Sequence, residues 1–329
     1  MADPLILCLP SKGSLADGVT RLFEQCLIPV RRARGSRSYE ATIAGFDDVH
    51  VLLARATDIP SMLDAGQAHV GITGLDLVQE HLGEGASPIH IVMPDIGFGR
   101  ADLVVGVPRT WLDVTTMDDL VEVAEDVRHL HQRSVRVATK FPNLTRGFFR
   151  AHGLTDYRIV ESLGATEGAP RGGHADLIVD LSSTGTTLEA NGLKQIAGGT
   201  VLRSQACLVG AGRPDAWTSD HLATLGRLVM LIEASLTAQR QRVVRAFFPS
   251  PGPTDRTVVD PLLVEAAWTE GDGLVQLVGR AEVGRVPALL AALLDAGSLA
   301  SSVDEPGLLV SAGSQALARF RAHLGTPSS

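Results

Sequence analysis

Along residues 4–105, short apolar runs alternate with amphipathic stretches: PLILCLP, SLADGVTRLFEQCL, VHVLLAR, DIPSMLDAGQ and HVGITG. The runs have the length of buried strands and the stretches carry one apolar face at helical spacing, so the segment predicts an α/β layer. The alternation restarts at ADLVVGVP, passes through TTMDDLVEVAEDVRHLHQ and VRVATK, and ends with ADLIVD running into SSTGTTLEANGL. SQACLVG predicts a strand. HLATLGRLVMLIEASLTAQRQRVVRAFF, apolar at every third or fourth position, predicts one long helix through residue 248. The turn-forming SPGPTD (250–255) predicts a linker. Beyond it, LVQLVGR, VGRVPALLAALLDAG, GLLVS and SQALARFRAHLG predict a small βαβα domain.

The 329 residues, at about 150 per domain, allow two or three domains with real cores. A hydrophobic fraction of 45% with 20% charged residues is globular and excludes a small stapled scaffold or wholesale disorder. Against 29 basic residues stand 37 acidic ones, a net charge of −8, which argues against a general nucleic-acid-binding surface. Cys8, Cys26 and Cys207 are widely spaced and lack a C-x-x-C pair, so neither a disulfide framework nor a zinc knuckle is expected, and Cys8 and Cys26 read as core residues. No basic leader with a cleavage site is visible, nor any apolar run near the roughly 18 residues of a membrane span. These features together lead to the expectation of a soluble, cytoplasmic protein. Lysines are few (Lys12, Lys140 and Lys194), so each invites inspection.

The strongest chemical feature is ADLIVDLSSTGTTLEANGL (175–193). An apolar strand ends in Asp180 and feeds a turn of Ser182, Ser183, Thr184, Gly185, Thr186 and Thr187 before a helical run. Where a strand hands over to a helix, the first amides lack internal partners and sit at the positive end of the helix dipole, a setting for a phosphate monoester. Gly185 permits close backbone approach, the hydroxyls add donors, and Asp180 at the strand's carboxyl end suits the vicinal hydroxyls of a ribose. Asp176, four residues earlier, reads as structural. The plainer alternative for the loop is ordinary helix capping by Ser and Thr.

Rival motifs are weak. Gly97-Phe98-Gly99 is followed by Asp102 where a dinucleotide fingerprint needs glycine, no Walker lysine follows Gly185, and His129 and His131 belong to no metal-ligand pattern.

From Glu167 the chain reads Glu167, five residues, Gly173, one, Ala175, two, Ile178, one, Asp180, Leu181, two, Thr184, Gly185, one, Thr187, Leu188. This resembles the signature of the ATP phosphoribosyltransferases that open histidine biosynthesis. LPSKGSL (9–15), RATDIPSMLDAGQAHVGITGLDLV (55–78), DIGFGRADLVVGVP (95–108) and VATKFPNLTRGFF (137–149) extend the resemblance over roughly residues 5–205, closest to the long-chain, α-proteobacterial type. Two departures stand out. His69 and Val70 precede the Gly71-Ile72-Thr73-Gly74 block where the family often has an acid, so no role for an acid there is carried over. The family's usual entry to its regulatory domain is not matched in SPGPTDRTVVDPLLVEAAW.

The resemblance implies an α/β fold with a two-lobed, type II periplasmic-binding-protein-like catalytic core and a small C-terminal α/β domain. Residues 1–104 would begin lobe I, 105–203 would form lobe II with the phosphoribosyl-pyrophosphate loop, 204–249 would return to lobe I, and 250–329 would form the last domain, of a length suited to regulation. The implied reaction joins N1 of the adenine of ATP to C1 of phosphoribosyl pyrophosphate with release of pyrophosphate in the presence of Mg²⁺. Histidine is the candidate feedback inhibitor, and a homo-oligomer, dimer or hexamer, is expected.

Two polyanions meeting in one cleft need local positive charge. The expected catalytic residues are Lys12, Arg55, Glu167 and Asp180. The expected substrate-binding residues are Ser11, Gly13, Gly74, Arg100, Lys140, Ser183, Thr184, Gly185, Thr186 and Thr187. A solvated lysine is the alternative at Lys12, and a plain ion pair with Asp58 the alternative at Arg55. For the whole chain, the alternative is a non-catalytic two-lobed protein that binds a phosphate-bearing ligand, since the same architecture serves receptors.

Overall fold

The apolar runs of the first two layers become strands, with Leu5–Pro10, Val49–Ala54 and Val70–Gly74 parallel in one sheet and Val135–Thr139, Tyr157–Glu161 and Leu177–Ser182 parallel in the other. The computed structural model describes residues 3–32, 39–83, 88–162, 166–253 and 256–325. The chain enters through β1 (Leu5–Pro10), α1 (Ser14–Gln25), β2 (Val30–Arg32), β3 (Glu40–Ile43), β4 (Val49–Ala54), α2 (Ile59–Asp64), β5 (Val70–Gly74), α3 (Leu75–Leu82) and β6 (Ile89–Met93). It crosses to a second lobe of β7 (Ala101–Pro108), α4 (Met117–His131), β8 (Val135–Thr139), α5 (Pro142–Ala151), β9 (Tyr157–Glu161), β10 (Leu177–Ser182), α6 (Thr186–Ala190) and β11 (Leu193–Ser204). The return brings β12 (Ala206–Ala211) and α7 (Ser219–Arg240) back to the first lobe.

Among the described residues the first sheet has the order β2-β3-β4-β1-β5-β12-β6 and the second β11-β7-β10-β8-β9. β1 is parallel to β4 and β5, whereas the returning β12 slots in antiparallel between β5 and β6. The chain therefore crosses between lobes twice, and Gln205 Nε2 donates to the carbonyl of Pro94 at 2.9 Å, tying the two crossings together. Two sheets joined by a double crossing form the type II periplasmic-binding-protein-like arrangement. Each lobe has its own core: Leu7, Phe23, Leu208, Leu225 and Ile232 in the first, Leu103, Leu120, Val137, Phe149 and Val179 in the second. Burial of such side chains, at about 25 cal/mol per Å² of apolar surface, is the main term holding each lobe together.

A third sheet follows, built from β13 (Gln241–Pro249), β14 (Glu265–Gly271), β15 (Leu274–Glu282) and, after α8 (Val286–Asp295), β16 (Ala300–Asp304), in the order β14-β15-β13-β16. Here the structure corrects the pattern reading in three places. The long helix stops at Arg240, and residues 241–249 form β13, paired with β15 and β16. Val244, Ala246 and Phe248 are buried in the third core, a period of two that the helical pattern had masked. The C-terminal domain thus opens at Gln241 rather than at 250; Thr254 and Asp255 of the expected linker lie outside the described residues.

GLLVS is not a strand: the polar, exposed Ala300–Asp304 takes that edge of the sheet, and Leu309 N–H instead donates to Ala234 O of α7. Finally, α9 (Gln315–His323) leaves the tail domain, burying Phe320 in the lobe I core with its ring 5.1 Å from that of Trp217.

Candidate active site

Between the lobes lies a cleft of about 660 Å³. Lobe I contributes Ser14 and Leu15 after β1, Thr57 after β4, and Gly74, Asp76 and Leu77 at the end of β5; the outgoing crossing adds Gly99 and Arg100. Lobe II contributes Lys140 and Phe141 after β8, and Asp180, Leu181 and Ser183 from the end of β10. Nearly every wall is thus the carboxyl end of a strand, the edge at which open α/β sheets leave room for ligands.

Of the expected residues, the structure brings Gly74, Arg100, Lys140, Asp180 and Ser183 together as cleft lining. Ser11, Lys12, Gly13, Arg55, Glu167 and Thr184–Thr187 are not part of that lining, although Ser14 and Thr57, close to the first four of these in the chain, are. Lys12 is exposed after β1, and Gly13, at φ 81°, starts α1 without any side-chain cap, so the first turn of that helix carries unsatisfied amides at the cleft wall. The carbonyl of Ser11 accepts from Arg32 at 2.8 Å. Arg55 is exposed at the end of β4; the Asp58 carboxylate takes the Thr57 hydroxyl at 2.9 Å, and among the described residues no ion pair joins Arg55 to Asp58. Arg100 extends into solvent and pairs with Asp95 at 3.2 Å.

Asp180 is half-buried. Burial pushes its carboxyl above the ordinary range and the nearby Glu167 charge adds to this, while the Leu181 amide, Lys140 and Thr166 pull the other way. Glu167 sits on a short turn, Thr166–Gly168. The lobe II wall thus carries one carboxylate and one ammonium, Asp180 and Lys140, with Glu167 near enough for its charge to act on Asp180.

The hydroxyl loop is exposed at Ser183, Thr184, Thr186 and Thr187. It also hydrogen-bonds to itself. Gly185 N–H donates to Ser182 Oγ at 3.1 Å, Thr186 N–H reaches Thr184 Oγ1 at 3.5 Å, and the Thr184 and Thr186 hydroxyls lie 2.9 Å apart. Gly185 adopts φ 76°, a left-handed conformation that favours glycine. An incoming phosphate group would exchange these internal bonds for its own oxygens.

Asp76 is the charged cleft residue that pattern reading missed. It is buried, donates its amide to Ser204 Oγ at 3.0 Å, accepts the same hydroxyl at 2.5 Å, and burial raises its carboxyl above the ordinary range. A Cβ at Gly74 would lie 2.5 Å from Asp76 Oδ1, which explains glycine there. The available signal was an acid in the first helical turn after a largely apolar strand, inside the 55–78 block.

Asp176 stands at the opposite end of β10, held by Arg133 at 2.6 Å and Arg136 at 3.0 Å, a structural anchor. The three cysteines are buried and free, with Cys8 and Cys207 pushed up to about 12 and Cys26 to about 11 by burial, which keeps them as thiols. Among the described residues no cluster of three His, Cys, Asp or Glu forms a metal cage, and no helix is long and apolar enough to cross a membrane.

Comparison with known proteins places the chain in a family. The family described as ATP phosphoribosyltransferase matches residues 55–234. The ATP phosphoribosyltransferase of Bradyrhizobium diazoefficiens is 46% identical over 248 residues, 75% of this chain and 76% of that one. Its counterpart in Afipia carboxidovorans is 45% identical over 249 residues, 76% of each. Among solved structures, a chain of the ATP phosphoribosyl transferase (HisG:HisZ) complex from Thermotoga maritima superposes with a TM-score of 0.52 at 25% identity, over 70% of this chain and 98% of that one. With a matched family profile, relatives at this identity and a shared two-lobed core, the chain belongs to the ATP phosphoribosyltransferase family.

Proposed function

We propose that the interlobe cleft is where this chain transfers the phosphoribosyl group, and that its two walls divide the substrates. In the family's reaction the bond from C1 of phosphoribosyl pyrophosphate to the pyrophosphate oxygen breaks, pyrophosphate leaves with the electron pair, and N1 of adenine bonds to C1. Adenine N1 already carries a lone pair, so no general base is needed; the task is to stabilise an oxocarbenium-like sugar and a departing polyanion. Family membership decides against the non-catalytic reading.

On lobe II, Ser183, Thr184, Gly185, Thr186 and Thr187 hold the sugar's 5′-phosphate, and Asp180 takes its vicinal hydroxyls, with Lys140 beside that carboxylate. On lobe I, Lys12, Ser11, Gly13 and the uncapped first turn of α1 meet phosphate oxygens, while Arg55 and Arg100 supply guanidiniums at the same edge. Gly74 gives the adenine-bearing substrate close access to the wall.

The donors fit Mg²⁺ that arrives on the substrates' own phosphates. Asp180 and Glu167 are hard oxygen ligands, one or two carboxylates being what such a site needs, and they would hold the ion. When bound, Mg²⁺ neutralises charge on the departing pyrophosphate.

The reading extends to a cytoplasmic homo-oligomer, dimer or hexamer, with histidine as the ligand of the third domain. The Thermotoga protein works in a complex, and its chain is matched almost entirely by 70% of this one, leaving a remainder here for added contacts. Exposed Leu290, Leu294, Val278 and Val303 on that domain supply apolar surface.

The observation that carries the reading is the meeting of Asp180, Lys140 and Ser183 with Ser14 and Asp76 across one cavity. Pure protein with ATP, phosphoribosyl pyrophosphate, Mg²⁺ and pyrophosphatase should show the absorbance of N1-ribosylated adenine, lost in Lys140→Ala and lowered by histidine. No product in the parent protein would refute the assignment.

A further inference from the structure

Glu80, in the last turn of α3 on lobe I, reaches into lobe II. Its carboxylate accepts the backbone N–H of Asn143 at 2.9 and 3.1 Å and that of Leu144 at 3.0 Å, and Asn143 Nδ2 returns a bond to the Glu80 carbonyl at 3.0 Å. Asn143 and Leu144 are the second and third residues of α5, where amides have no intrahelical partner. α5 begins after Phe141 with no side-chain cap of its own, so its cap is supplied by the other lobe. A carboxylate at the positive end of a helix makes charge-assisted bonds, stronger than neutral ones.

What the clasp joins matters more than its strength. The two residues before α5 are Lys140 and Phe141, and the first turn of α3 holds Asp76 and Leu77; all four line the cleft. Leu77, though on a lobe I helix, packs against the lobe II core. We propose that Glu80 is an interlobe positioning residue: by capping α5 from α3 it fixes Lys140 on one wall at a set distance from Asp76 on the other, holding the cleft at its working width. Its kinetic part rests on the cleft being the site of reaction.

The test combines distance and kinetics. Spin labels at Glu24→Cys on α1 and Glu125→Cys on α4, both exposed positions, report the separation of the lobes in the substrate-free protein. Glu80→Ala should lengthen or broaden that distance distribution and raise KM for both substrates about tenfold with a smaller change in kcat, as loss of charge-assisted bonds predicts. Glu80→Gln keeps one acceptor oxygen and should recover part of both effects; Asn143→Ala, which removes the return bond from the other lobe, should move both the same way by less. An unchanged distance distribution in Glu80→Ala, or a changed one with parental KM values, overturns the proposal. If instead Lys140→Ala leaves the kinetics intact, the placement of the reaction in this cleft fails, while the label distances still judge the clasp.

Discussion

Ser204 donates its hydroxyl to Asp76 Oδ1 at 2.5 Å while accepting the Asp76 N–H at 3.0 Å, so the last residue of a lobe II strand closes the first turn of a lobe I helix at the wall of the cleft. Ser204→Ala leaves a buried carboxyl and an amide short of a partner and should cost about 1–3 kcal/mol in urea unfolding. Burial raises Asp76 above its ordinary range, so the folded state holds the proton more tightly than the unfolded chain. That contribution is fully present below the ordinary aspartate range and is lost as pH rises through the raised folded value. Stability curves of the parent and Asp76→Asn should therefore diverge in favour of Asn as pH climbs toward neutrality.

Asp180→Ala should raise KM for phosphoribosyl pyrophosphate by about tenfold or more, as loss of hydrogen bonds to a charged group predicts, while ATP binding measured by calorimetry changes little. Equal constants in the variant would refute its role with the ribose. After burial, the Glu167 charge is a cause of the raised Asp180 carboxyl. Glu167→Gln should therefore shift the acid limb of kcat/KM for phosphoribosyl pyrophosphate to lower pH.

Gly185→Ala isolates backbone strain. The new Cβ meets nothing within 4 Å, so the left-handed φ alone is at stake, a cost of about 1–2 kcal/mol. The melting temperature should fall modestly and KM for phosphoribosyl pyrophosphate should rise, whereas Thr186→Ala should affect KM alone.

Asp176 gives the contrasting pH behaviour. Burial would push it up, but hydrogen bonds from Arg136 and Arg133 bring it to about 2. Its stabilisation is present above the ordinary aspartate range and is lost as pH falls through about 2. Asp176→Asn should cost about 1–3 kcal/mol at neutral pH, as a weakened charged hydrogen-bond network would, with kinetic constants unchanged because the residue sits at the far end of β10.

Phe320→Ala should destabilise the first lobe even though the residue lies in the tail. The ring is fully buried in the lobe I core, and such truncations cost about 3–5 kcal/mol. Urea denaturation followed by Trp217 fluorescence would register it, since the two rings touch.

The pattern of apolar runs picked out β1, β4, β5, β7, β8, β10 and β12, because a strand buried on both faces must be apolar nearly throughout; β2, β3, β6, β9 and β11, whose residues mix polar with apolar positions, were not among the runs it marked. The hydroxyl-rich turn after Asp180 was legible for a similar reason: its chemistry is local, set by neighbours in the chain. Where two periods fitted the same residues the pattern failed. Gln241–Pro249 satisfies a helical and an alternating reading at once, and only pairing with β15 and β16 chose between them.

Residue types and spacing therefore determined the layers, the family signature and the lobe II loop. The fold decided what lies far apart in the chain but close in space. Asp76 meets Ser204 and Glu80 meets Asn143 only because the chain crosses twice between sheets. α9 leaves its own domain and buries Phe320 in the core of lobe I. Such partners leave no periodic trace, since a hydrogen bond or a buried ring depends on three-dimensional proximity and not on intervals along the chain.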